Sequence, residues 1–160
     1  MTTKILVAYY SKTGNTGRMA KEIAARLGAD IETIIDKKSR KGLFGFIFGG
    51  RDAMKKMLTA IETPKFDAAN YDLVIVGTPV WASDMTPAVR TYLAQNKNKI
   101  KNLACFDASG NIDPAKIAAS VGQVAGKKPI AFTGVNDEER KNSETVEKKI
   151  AAFVGAIKKA

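Results

Sequence analysis

Three short stretches carry residue types with chemical use. The first, Ser11-Lys12-Thr13-Gly14-Asn15-Thr16, gathers hydroxyls, an amide and a glycine just ahead of an apolar-periodic segment. A loop entering a helix presents free backbone N–H groups at the positive end of the dipole, and hydroxyls add donors, so this pattern suits a phosphate. Gly14 permits a positive φ or a close backbone approach. Neither the G-x-x-x-x-G-K-S/T loop of nucleotide hydrolases nor the dinucleotide G-x-G-x-x-G is present, so a monophosphate held by mostly uncharged donors is the better match. The competing reading is an ordinary hydroxyl-rich helix cap. The second stretch, Thr78-Pro79-Val80-Trp81-Ala82, puts the only tryptophan on a loop. An exposed indole there makes a stacking platform for a flat ring, or else it packs on the neighbouring helix. The third runs from Cys105 to Asn111. Asp107, Ala108, Ser109 and Gly110 supply small and polar groups for a polar ring edge, while Cys105 reads as a small buried strand residue rather than a reactive thiol.

Composition removes much of the remaining chemistry. The 160 residues contain no histidine and one cysteine, which excludes His-based acid–base catalysis, a Ser-His-Asp triad, His-ligated metal and any C-x-x-C centre. No metal site is expected. Length and a hydrophobic content of 45% fit one folded domain spanning 1–160. The N-terminus lacks a basic-then-apolar leader and no window approaches a spanning helix, so the chain is expected to be cytoplasmic with no membrane span. A net charge of +10 suggests an acidic partner, nucleic acid or an anionic surface.

Positioning the three stretches requires a scaffold, and the apolar pattern predicts it. Lys4–Tyr10, Ile31–Ile35, Asp72–Val76, Leu103–Phe106 and Pro129–Thr133 read as strands. Between them, Met19, Ala20, Ile23, Ala24 and Leu27 recur at helical spacing, as do Val89, Tyr92 and Leu93, and Val146, Ile150, Phe153, Val154 and Ile157. Asp113-Pro114 reads as an N-cap followed by proline at the first helical position, opening a helix to about residue 124, and Thr86-Pro87 opens the preceding one. A βαβαβαβαβα order demands a parallel sheet with helices on both faces, whose ligands sit beyond the carboxyl ends of the strands. The loops after the first, third and fourth strands are the places to look.

Together these residues resemble the flavodoxin family over essentially the whole chain. The first loop matches the family's Ser/Thr-x-Thr-Gly-x-Thr phosphate loop at every specified position, with Tyr9 in the aromatic slot two residues before Ser11. The second is similar to the loop covering the flavin ring, with Trp81 in the stacking role. Ala108-Ser109-Gly110 resembles the small stretch bordering the pyrimidine end. The resemblance implies a flavodoxin-like, five-stranded parallel sheet in the order 2-1-3-4-5, noncovalent FMN, and electron transfer to a redox partner protein. It also implies that the peptide after Trp81 turns toward the ring edge in a conformation of positive φ, which costs a residue with a Cβ about 1 kcal/mol or more. The chain departs from the family in carrying Asp107 at a usually neutral position, Ala82 where glycine is common, and a basic rather than acidic balance.

Two alternatives accompany an electron carrier. One is an FMN-dependent NAD(P)H:quinone reductase, which tends to need extra segments; the connection after the Pro129–Thr133 strand, Gly134 to Asp137, is short. The other is a nucleic-acid-binding module, for which no supporting motif exists. Basic residues Lys37, Lys38, Arg40, Lys41, Arg51, Lys55 and Lys56 cluster after the second strand and predict an acidic docking surface on the partner. Within Lys37–Gly50, the apolar Leu43, Phe44, Phe46, Ile47 and Phe48 either pack on the core or make a membrane-touching or nucleic-acid-touching segment.

Overall fold

Apolar runs become strands here because both faces of the sheet are covered. The computed structural model describes residues 2–40, 42–108 and 110–160, with the backbone alone at 43, 44 and 46. Its strands are β1 (Ile5–Tyr9), β2 (Asp30–Thr33), β3 (Leu73–Trp81), β4 (Asp84–Met85), β5 (Leu103–Ala108) and β6 (Phe132–Val135). The helices are α1 (Asn15–Leu27), α2 (Gly42–Met54), α3 (Pro87–Asn96), α4 (Pro114–Ala125) and α5 (Ser143–Lys159). The main sheet is parallel in the order β2-β1-β3-β5-β6, which is the expected 2-1-3-4-5 arrangement once the two-residue β4 is set aside. β4 pairs antiparallel with the end of β3, Val80 opposite Met85 and Trp81 opposite Asp84.

Strand alternation divides the core in two. Leu6, Ala8, Tyr10, Val74, Val76, Leu103 and Cys105 face α3 and α4, packing on Val89, Tyr92, Leu93, Ile117 and Val121. Ile5, Val7, Tyr9, Ile75, Ala104 and Phe106 face α1 and α5, packing on Met19, Ile23, Ile150, Phe153 and Val154. Burial on both faces explains why β1, β3 and β5 read as continuous apolar runs. The first capping expectation holds in full: the Asp113 carboxylate accepts from the Ala115 N–H, with Pro114 opening α4. Thr86 precedes Pro87 at the start of α3 but makes no side-chain cap, and its hydroxyl is buried without a partner among the described residues.

Strand boundaries shift from expectation, by two residues at the ends of β2 (at Thr33) and β5 (at Ala108) and most in β3 and β6. β3 continues through Thr78, Pro79, Val80 and Trp81, which look like a loop from their glycine and proline neighbours. Thr78 and Pro79 align with Asp107 and Ala108 of β5, and the hairpin to β4 carries the strand on to Trp81. The last strand lies later than Pro129–Thr133 and takes in Gly134 and Val135. Ladder-type bonds already begin at Ile130, whose N–H donates to the Leu103 carbonyl, so the shift is one of strand onset rather than of register.

Candidate functional site

The chain turns to one side of β1 to form β2 and to the other to form β3, so the loops leaving β1 and β3 separate at the carboxyl edge of the sheet. A cleft of about 580 Å³ opens there. Lys12, Thr13, Asn15 and Thr16 line it from the first loop and α1; Pro79, Val80, Trp81 and Ala82 line it from the end of β3. Gly45, Ile47, Gly50, Arg51 and Met54 of α2 form a further wall, and Asp137 and Arg140, from the connection after β6, close the rim.

The phosphate-ready end is built by the backbone. Gly14 stands as the N-cap of α1 at φ 95°, a left-handed conformation open to glycine, and as a glycine it offers no side-chain acceptor to the helix start. The Ser11 hydroxyl accepts from the Gly14 N–H at 3.1 Å, which fixes the turn while leaving its own proton to donate. The Asn15 side-chain amide donates to Thr13 Oγ1 at 3.3 Å, and Thr16 is buried at the cleft floor. A helix N-terminus with hydroxyls around it and no acidic residue in its first turn has the chemistry of an anion site. Lys12 points elsewhere, its Nζ lying 5.8 Å from the centre of the Trp81 ring.

Trp81 is half-buried, not an exposed platform as the sequence suggests. Tyr10 meets it edge-on with ring centres 5.6 Å apart. Gly49 of α2 packs so closely that a Cβ there would lie 2.8 Å from the indole. The ring is thus held by Tyr10 and α2, and its remaining surface lines the cleft. The aromatic neighbour is Tyr10; Tyr9, on the opposite sheet face, accepts a hydrogen bond from the Thr33 hydroxyl at 3.1 Å.

Ala82 and Ser83 have φ of 49° and 63°. Positive φ at both central residues of a two-residue hairpin loop is the type I′ geometry, which matches the twist of β3 and β4. The left-handed conformation expected only on turning the peptide toward a ring edge is therefore already present at Ala82. β4 is pinned beneath it: Asp84 accepts from Arg90 at 2.8 Å and from the Ser120 hydroxyl at 2.7 Å.

The third stretch is divided. Ala108 is buried, and Gly110 comes against Val80, where a Cβ would lie 2.6 Å from the valine. Ser109 falls outside the described residues. Asp107 does not line the cleft; its side chain is buried against Gly134 of β6. Burial pushes its carboxyl up to about 7; the Lys149 ammonium opposes that rise, while Glu139 and Asp113 add to it. Burial likewise pushes the Cys105 thiol up to about 12, in keeping with an inert strand residue.

The structure corrects two expectations in the segment after β2. Arg40 is not part of a docking surface: it is buried, donating to Asp36 at 3.1 Å and to Asp52 at 2.6 Å. Burial alone would raise the Asp52 carboxyl, but hydrogen bonds from Arg40, Lys38 and Arg51 bring it down to about 2. Ile47 and Phe48 do not pack on the core, being 52% and 39% exposed; Lys41 and the side chains of Leu43, Phe44 and Phe46 lie outside the described residues. The α2 wall of the cleft and the Asp137–Arg140 rim escaped sequence reasoning. The signal for the former was a Gly-rich apolar helix that the charge run obscured. Among the described residues no group of three or more His, Cys, Asp or Glu gathers as a metal site, and no helix is long and apolar enough to cross a membrane.

A sequence model of the family described as Flavodoxin matches residues 4–127. Among solved structures, a flavoprotein in complex with FMN from Lactobacillus acidophilus is 22% identical, with a TM-score of 0.71 over 89% of this chain and 99% of its own. A protein from Bacteroides eggerthii assigned as a flavoprotein is 24% identical, with a TM-score of 0.74 over 94% of this chain and 98% of its own. A flavodoxin from Fusobacterium nucleatum bound to flavin mononucleotide is 13% identical, with a TM-score of 0.60 over 98% of each chain. At these identities the likeness is one of fold.

Proposed function

From its place in the flavodoxin family, to which the chain belongs, we propose that the cleft holds FMN noncovalently and that the protein is an electron carrier. One observation carries the reading: a hydroxyl-rich helix start without a side-chain cap and a clamped tryptophan line the same cleft of about 580 Å³. That volume falls within the range of cofactor sites. The donor set fits the group. Thr13, Thr16 and the first amides of α1 would hold the phosphate, and Trp81, Pro79 and Val80 would border the ring.

When bound, the flavin supplies the one- and two-electron chemistry, and no side-chain acid or base is required. The residues of this chain bind, orient and screen. The Ser11 contact to Gly14 keeps the loop in its anion-accepting shape before any ligand arrives, so little ordering cost remains on binding. Tyr10 and Gly49 hold Trp81 in one orientation. The apolar α2 wall excludes water along one side of the cleft, and Lys12, Arg51 and Arg140 make its rim basic. A redox partner with an acidic surface is favoured by that rim, and its association should slow as salt rises.

Titration of the flavin-free protein with FMN and with riboflavin tests the assignment. FMN should bind more tightly, and replacing Thr13 and Thr16 together by Ala should weaken FMN by about 1–3 kcal/mol per lost hydrogen bond while leaving riboflavin nearly unchanged. Equal affinities for the two flavins would remove the phosphate site. Steady-state oxidation of NAD(P)H with a quinone separates carrier from reductase, since a carrier should show no sustained turnover.

A further inference from the structure

Among the described residues, the helix α2 turns its small ones inward. Surface helices ordinarily bury their large apolar residues and expose the small or polar ones. Here the inner face is made of Gly45, Gly49, Asp52 and Ala53. Gly45 lies so close to the Arg40 backbone that a Cβ would stand 2.2 Å from it, and Asp52 is held by the buried Arg40. Among the described residues, Phe48 is 39% exposed, continued beyond the helix by Met57 at 42% and Leu58 at 59%, while Ile47 and Met54, at 52% and 67%, are exposed along the cleft wall. Large exposed apolar residues close together in the chain and set among basic ones point to an interaction site.

The charge on this face selects the occupant. Lys37, Lys38, Arg51, Lys55 and Lys56 are exposed around the apolar residues. Asp52 is the one acidic residue between Lys37 and Leu58, and its carboxylate is turned inward, 3% exposed. Residues 37–58 therefore offer cations and hydrocarbon together and no exposed carboxylate of their own. A second copy would bring like charges into contact, which costs several kcal/mol. The long, flexible side chains of Lys55, Lys56, Met57 and Leu58, just beyond α2, suit a fluid surface, where apolar groups enter the acyl boundary and ammonium groups meet headgroups. We infer that α2 and the Lys55–Leu58 segment form a docking face for an anionic lipid surface, bringing the cleft wall formed by Ile47, Arg51 and Met54 to the membrane. Phe48, Met57 and Leu58 lie outside the cleft lining, so the docking face keeps these apolar residues whatever fills the cleft.

Vesicle co-sedimentation of the protein as purified tests it, with thermal unfolding of each variant as the check on folding. The protein should bind phosphatidylglycerol-containing vesicles and not pure phosphatidylcholine, with binding falling as salt rises above about 0.15 M. Lys55→Gln with Lys56→Gln should weaken partitioning by about fivefold per lysine. Met57→Ser with Leu58→Ser, outside the cleft lining, should weaken it by about tenfold without changing salt dependence. Equal binding to neutral vesicles, or anionic binding indifferent to the Met57 and Leu58 changes, would overturn the docking face. So would absence of vesicle binding together with salt-sensitive binding to an acidic model protein, which would make the occupant proteinaceous.

Discussion

Asp107→Asn should remove a loss of stability that the parent suffers as pH rises from about 4 to 8. Asp107 is 2% exposed on β5, in register with Gly134, where a Cβ would stand 2.6 Å from its Oδ1. The nearest cation is already engaged: Lys149 donates to the Gly134 carbonyl and to Glu139, each at 2.8 Å. Burial is the largest effect on the carboxyl, raising it from 3.8 to about 7. Between those values the folded chain holds a proton that the unfolded chain has lost. Stability from this group is therefore fully present below the unfolded value and is lost as pH rises through the folded one. The interval from 3.8 to about 7 sets a ceiling of about 4 kcal/mol. Asparagine keeps the shape and removes the ionisation. Urea denaturation of both flavin-free proteins at about pH 4, 6 and 8 should show them similar at the lowest pH and the variant gaining about 2–4 kcal/mol over the parent at the highest. Parallel stability curves across that range would refute the argument and mean that Asp107 ionises at its ordinary pH despite its burial.

Asp52→Asn should cost about 3–5 kcal/mol, because Arg40 would be left as a buried cation with half its partners. Since the folded Asp52 carboxyl sits near 2 against 3.8, the parent's advantage over that variant should persist above pH 4 and fade on acidification toward pH 2, as read by urea midpoints. Ser83→Gly should stabilise the β3–β4 hairpin by up to about 1 kcal/mol, since Ser83 holds φ 63° where glycine is unstrained; a loss of thermal stability would contradict the type I′ assignment. Cys105, buried and with its thiol raised to about 12, should resist thiol reagents in the native protein and react at once in denaturant.

The fold was legible because its signals are local. Continuous apolar runs such as Leu73–Val76, helical spacing in α1 and α5, and the Asp113-Pro114 cap each follow from a few neighbouring residues. The helix-opening loop Ser11–Thr16 is likewise a short contiguous pattern, and the structure places Thr13, Asn15 and Thr16 in the cleft with the end of β3. Trp81 was readable as a cleft residue but not as a half-buried one. Its clamp comes from Tyr10, by strand alternation on β1, and from Gly49, which only the docking of α2 brings near.

What remained hidden depended on partners distant in the chain. The extension of β3 through Pro79 to Trp81 requires β4 and β5 beside it, and pairing overrides the turn preference of Gly77 and Pro79. Asp107 reads as a site residue from its position after a strand; the sheet buries it against β6 instead, and burial sets its proton affinity. The basic run after β2 reads as surface charge, yet Arg40 is drawn inside because Asp36 and Asp52 converge on it from separate elements. Period and composition determined the five parallel strands in outline, the helices that flank them and the hydroxyl-rich loop that opens α1. Only the tertiary structure decided which charges are exposed and which residues clamp Trp81, because burial is a property of the packed neighbours and not of the residue.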